Sequence, residues 1–455
     1  MDRISVAFRS AKERSFAERK TTIRPCVSPS ECHRASAPRF LQRGLTPKNQ
    51  GAYAAPLRCL IIDRDRHEGL AMSKHDFTAE EFSQRRTRAR EAIGAAELDW
   101  MLLFHPVTIR WLTGSDAKSY QEFQSLLISA KPGPVVVLTR SGERNEFLSD
   151  ALVDELHTWG GGEPEDPIAA LAKVAESLGV NGARVGMEVP GYYLHPHHYV
   201  RIKQLFDDNI VERTNLIHDL TLVKSPTELS YIRAASGIAD KAMMRFTSAL
   251  QAGRSELDLA GEVYHELLTS GSGLAASPIN LVSGPRSCYS HGAPTDRRLQ
   301  RGDFGNIEYG ATFKRYTATI GRQFVLGEPT ARMLELHDLV RRASDACLAE
   351  IRAGVPAVVP HEAAKQVIAD AGLDHARVHL SGYGLAPGSP PSWAEPIHLI
   401  GGSSYTLQAG MVVTVEPPVF IGEEQLGARI IDNVLVTHDG CERLSRVTRD
   451  LIVID

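Results

Sequence analysis

The stretch NIEYGATFKRYTATIGRQF, Asn306 to Phe324, decides the fold of this chain. It reads as a strand hairpin inside a strand-rich segment spanning 303–327, with Lys314-Arg315 near its tip. Two of its positions frame the chemistry. Glu308 offers a carboxylate, whereas Thr319 on the return strand offers only a hydroxyl.

Helical patterns flank this hairpin. Ser225-Pro-Thr-Glu228 is a capping box with proline at the first helical position, so a long helix is expected to about Leu250. Ser255 is an N-cap for a helix to Ser270. Further helices are expected at about 329–353, stopped by Ala353-Gly354, and at about 361–372, opened by Pro360. The segment 411–455 is strand-rich: MVVTVEPPVFI, ARIIDNVLVT and RDLIVID. Helices interleaved with hairpins indicate an α+β domain over 225–455.

The preceding part alternates α and β. Thr78-Ala-Glu-Glu81 opens a charged helix to about Ala95. The runs LDWMLLF (98–104), PVVVLT (134–139) and VGMEV (185–189) read as buried strands, with helices near 149–157 and 167–178 between them. This α/β unit spans 72–224. Residues 1–71 differ: 14 Lys/Arg stand against 7 Asp/Glu with little periodicity, which reads as a disordered extension or a mis-assigned start before Met72.

Composition bounds the function. The 455 residues carry a net charge of −4 and are 43% hydrophobic, which gives no reason to expect nucleic acid as a partner. No run of about 18 apolar residues exists to span a membrane. The six cysteines are scattered without a CxxC pair, as expected of reduced thiols in the cytoplasm. No GxGxxG or GxxxxGK[ST] is present, so no nucleotide cofactor is indicated. His195, His197 and His198 cluster without an acid or cysteine at ligand spacing, and read as a solvated helix entry.

Chemistry-bearing residues appear in order: Ser290-His291-Gly-Ala-Pro294, Gly302-Asp303 before the hairpin, Ser381-Gly-Tyr383-Gly384, Thr414-Val-Glu416-Pro417 and Ala428-Arg429-Ile-Ile-Asp432. This ordered set resembles the pita-bread family of methionine and Xaa-Pro aminopeptidases, prolidase and creatinase. The resemblance covers about 76–455, with HPVTIRWLTG (105–114) similar to the smaller domain of prolidase and creatinase. It implies a small creatinase/prolidase-like domain followed by a pita-bread catalytic domain. Metallo-members hold two metal ions with two Asp, one His and two Glu. Carried over, these positions fall on Glu308, Thr319, Tyr383, Glu416 and Ile431, and only Glu416 matches. Tyr and Thr are poor ligands and an aliphatic side chain is none, so no metal is expected.

Metal-free creatinase and ectoine hydrolase suggest how such a pocket would work, with an electrophilic amidine or guanidine supplying what the metal supplies elsewhere. The resemblance to ectoine hydrolase is nearer, through Glu308, Lys314-Arg315-Tyr316, Arg322, Pro390-Pro391 and Trp393. The expected activity is therefore metal-independent hydrolysis of a non-peptide C–N bond in a small amidine- or guanidine-type compatible solute. Catalytic roles fall to His291, Glu308 and Glu416, and substrate contacts to Tyr383, Trp393, Arg429 and Thr319. By resemblance, Asp116, Tyr120 and Glu122 reach the neighbouring pocket of a homodimer. Two alternatives stand beside this reading: a metal-dependent Xaa-Pro aminopeptidase or dipeptidase, and a catalytically silent binding protein.

Overall fold

The computed structural model describes residues 74–117 and 121–455. The extension expected over 1–71, and Tyr120, lie outside the described residues. No described helix is long and apolar enough to cross a membrane.

Helix α1 (Ala79–Ala95) starts at the expected cap, where the Thr78 hydroxyl accepts the Glu81 N–H at 3.1 Å. A six-stranded sheet follows: β1 (Trp100–Leu103), β2 (Ser125–Ser129), β3 (Val135–Arg140), β4 (Glu155–Trp159), β5 (Val185–Met187) and β6 (Ile210–Glu212), in the order β4-β3-β2-β1-β5-β6. Helices α2 (Pro106–Thr113), α3 (Arg144–Asp150), α4 (Pro167–Ser177) and α5 (Pro196–Phe206) complete the unit, and separate apolar clusters fill its two faces. Two differences from the sequence reading stand out. The helix expected near 149–157 ends at Asp150, and Glu155–Trp159 pairs in parallel with β3. Strand β2 was not anticipated. The SLLIS run becomes an inner strand because β1 and β3 both pair with it.

The second unit has a nine-stranded sheet. Its strands are β7 (Asn280–Ser283), the hairpin β8 (Phe304–Phe313) and β9 (Tyr316–Leu326), β10 (Gly382–Ser389), β11 (Ser392–Leu399), β12 (Val412–Val415), β15 (Asp432–Val436), β16 (Cys441–Arg443) and β17 (Ile452–Ile454). The short pair β13 (Val419–Ile421) and β14 (Leu426–Ala428) lies apart from it. Helices α6 (Pro226–Ala249) and α7 (Glu256–Thr269) bury their apolar residues with those of β8 and β9, whereas α8 (Ala331–Glu350) and α9 (Val358–Asp370) share a core with β12 and β15. Both α6 and α7 carry complete capping boxes. Helix α9 begins at Val358, so Pro360 sits within its first turn, where its missing N–H has no partner to lose.

The hairpin tip is gripped by the small unit. Lys314 and Arg315 adopt positive φ of 48° and 67°. Such turns usually take Asn or Gly. Here the side chains are anchored instead, Lys314 to Asp76 at 2.8 Å and Arg315 to Asp116 at 2.7 Å. Arg322 is fully buried and holds the far end. It donates to Asp432 and to the Ile431, Thr448 and Val447 carbonyls, tying β9 to the residues that lead into β17.

Candidate active site

The register of the hairpin places Glu308 opposite Gly321, and Asn280 of β7 beside it. Glu308 is buried, and its Oε2 accepts from Asn280 Nδ2 at 3.0 Å and from the Arg429 guanidinium. Arg429 is equally buried and also donates to the Ser290 carbonyl at 3.0 Å, whereas its Nη1 has no partner. Glu416 follows β12, its N–H fixed on the Ser381 carbonyl at 2.8 Å. Neither of its carboxyl oxygens has a hydrogen-bond partner. His379 Nδ1 approaches Oε1 at 3.4 Å without the alignment of a hydrogen bond. Burial pushes the Glu416 pKa up to about 8, with Glu308 adding to the rise and Arg429 opposing it. Burial lowers His379 to about 4, and partial desolvation of its ring also lowers His291, which lies 5.4 Å from the His379 ring. At neutral pH the site therefore holds neutral imidazoles and a proton-bearing Glu416.

Over this cluster lie the aromatic residues. Trp393 Nε1 donates to the Tyr383 hydroxyl at 3.0 Å, and the Trp393 ring packs on Gly310, where an added Cβ would meet it at 3.0 Å. Thr319 is buried and its hydroxyl accepts from Asn433 Nδ2 at 2.8 Å. The structure thus brings His291, Glu308, Glu416, Tyr383, Trp393, Arg429 and Thr319 into one region. Asp116 pairs with Arg315 and Arg110, and Glu122 is exposed. Sequence reasoning missed His379, Asn280 and Asn433. The signal for His379 was its place just before the Ser381-Gly-Tyr383 motif.

A metal pair does not fit these residues. Glu308 is engaged by a guanidinium, the Tyr383 hydroxyl by Trp393 and the Thr319 hydroxyl by Asn433. Ile431 has no donor and packs so closely on Gly321 that a Cβ there would lie 2.6 Å from its Cγ1. Among the described residues, no group of three His, Cys, Asp or Glu is arranged to hold a metal ion.

Comparison with known proteins supplies the rest. Residues 85–223 match the Creatinase/Prolidase N-terminal domain and residues 230–438 match Metallopeptidase family M24. This chain is a two-domain pita-bread hydrolase. It is 28% identical to the probable dipeptidase PepE of Mycobacterium tuberculosis over 84% of this chain and 99% of that one. Among solved structures it resembles dipeptidase PepE from Mycobacterium ulcerans (TM-score 0.74, 26% identity, 83% of this chain and 99% of that one). It also resembles an Xaa-Pro dipeptidase from Bacillus anthracis (TM-score 0.72, 25% identity, 82% of this chain and 100% of that one). These relatives overturn the expectation of a non-peptide amidine or guanidine hydrolase of the ectoine hydrolase or creatinase type. Glu308 explains why that expectation fails. The Arg429 cation already fills the place that a substrate amidinium would need.

Proposed function

We propose that this chain hydrolyses the peptide C–N bond of a short peptide, a dipeptide first of all. One observation carries the chemistry. The buried Arg429 Nη1 and both Glu416 oxygens lack partners within one charged cluster, so a donor and a proton-bearing acid stand ready for a polar substrate. The full-length likeness to proteins named dipeptidases supports an amide as that substrate.

In this reading the substrate carbonyl oxygen faces Arg429 Nη1, which stabilises the negative charge that develops there. Neutral His291 takes a proton from the attacking water as the water oxygen bonds to the carbonyl carbon. Glu416 gives its proton to the leaving nitrogen as the C–N bond breaks. His379, lying between His291 and Glu416, returns the proton and resets the site. Trp393 and Tyr383 wall the pocket and shed water. No step passes through a metal, because the donor set for one is missing. As part of the same proposal, the chain acts as a homodimer, which light scattering on the purified protein tests.

The test is a panel of dipeptides, Ala-Pro and Gly-Pro beside Ala-Ala, incubated with purified protein with and without Mn²⁺ and followed by NMR for free amino acids. Release of either amino acid that Glu416→Gln abolishes supports the proposal. Silence across the panel in both conditions refutes it and leaves a binding protein.

A further inference from the structure

A cavity separate from the acid cluster is lined by residues of the β10–β11 hairpin. It measures about 390 Å³ and is lined by both units, including His105, Glu188, Tyr193 and His218 from the small unit and Ser392 and His398 from β11. Ser392, Ala394, Glu395, Pro396 and His398 of β11 line the cavity, whereas the Trp393 indole is turned to the Tyr383 hydroxyl, to which it donates.

Glu188 makes this cavity unusual. The carboxylate is only 6% exposed. Its Oε2 caps the entry to α2, accepting the Phe104 and His105 N–H groups, both at 2.8 Å, and the Thr108 hydroxyl at 3.1 Å. Its Oε1 has no partner, and no ion pair forms to Glu188 among the described residues. The nearby cation is spent elsewhere: Lys224 Nζ binds both Glu395 oxygens at 2.6 and 2.7 Å and two carbonyls. His218, also 6% exposed, presents a second unpartnered atom, Nε2. A buried carboxylate without a counter-cation is costly, and a ligand that brings the cation removes the cost. The walls suit such a ligand. The Tyr193 ring packs edge-on against His105 at 4.6 Å, and Tyr192 stands 81% exposed at the rim. Aromatic faces attract organic cations.

We propose that this cavity is a second ligand site that takes a small organic ammonium ion, held by Glu188 Oε1 and His218 Nε2 between aromatic walls. The inference does not rest on the peptidase reading.

The experiment is isothermal titration of the full chain with ethylammonium chloride, with ethanol and sodium acetate as size-matched controls. Saturable binding of ethylammonium at one site per chain, without binding of the controls, is expected. Glu188→Gln keeps the capping acceptor and removes the charge, so it should weaken binding at least about tenfold. Ala394→Phe fills the cavity from the hairpin side without touching Glu188, and should abolish binding. Glu416→Gln, in the reaction pocket, should leave it unchanged. No heat from ethylammonium, equal binding of acetate, or loss of binding in Glu416→Gln with retention in Ala394→Phe would each overturn the proposal.

Discussion

Replacing Glu416 with glutamine gives a prediction whose sign follows from burial. The carboxyl of an ordinary glutamate titrates near 4.5, but burial raises Glu416 to about 8. Between those values the unfolded chain loses this proton and the folded chain keeps it, so rising pH favours unfolding. The contribution of this group to stability is therefore intact below pH 4.5 and is lost as pH climbs to about 8. At about 1.4 kcal/mol per pH unit, the loss reaches at most about 5 kcal/mol. Glutamine has nearly the same shape and never ionises. Glu416→Gln should match the wild type in Tm near pH 4 and exceed it by a few degrees at pH 8, while losing peptide hydrolysis. Scanning calorimetry at half-unit pH steps reads both curves. Parallel curves for the two proteins would refute the argument, because they would mean that Glu416 is already ionised in the folded state.

Other expectations follow from the same structure. Arg429→Met leaves Glu308 buried without its counter-charge, which should cost about 3–5 kcal/mol in urea unfolding, and Arg429→Lys should recover part of that loss. In the surviving folded protein, loss of the Arg429 donor should lower kcat by about 10²–10³-fold, measured on whichever dipeptide is cleaved. Lys224→Met should destabilise by a similar 3–5 kcal/mol, and pairing it with Glu395→Leu should restore most of the loss, because the pair is buried together. Elemental analysis after dialysis against Mn²⁺ should find well under one ion per chain, and one or two bound ions would show that the reading of the donors is wrong. Gly382→Ala would push a Cβ to 2.0 Å from the Thr414 carbonyl, so a lower Tm is expected together with weakened substrate binding, seen as a raised KM.

Local signals carried much of the fold. The capping box at Ser225 and the N-cap at Thr78 located α6 and α1 because a cap is specified by residues three positions apart. The hairpin was legible for the same reason. The segment 155–159 was not, because its strand character comes from pairing with β3 rather than from its own pattern. In the site, Glu308, Glu416 and Arg429 were visible as candidates, but the bond between Glu308 and Arg429 was not. That bond depends on β8 and the segment after β14 meeting 121 residues apart. The same holds for the bond that Asn433 donates to the Thr319 hydroxyl across 114 residues. Asp116 is a further case. Its ion pair with Arg315 was invisible in the sequence because the two lie 199 residues apart.

The clasp of Arg322 on residues 447–448, beside the parallel pairing of Phe324–Leu326 with Ile452–Ile454, has a consequence for the order of assembly. Contacts this distant along the chain close slowly, since loop entropy is spent before they form. The strand opposite Glu308 is thus completed by a segment that lies 126 residues further along the chain at the Arg322–Thr448 bond. Until that segment docks, Arg322 has unfilled acceptors to find and the acid-bearing hairpin lacks its outer neighbour. The pocket should therefore mature late in folding, after the local helices and the hairpin of the domain that carries it.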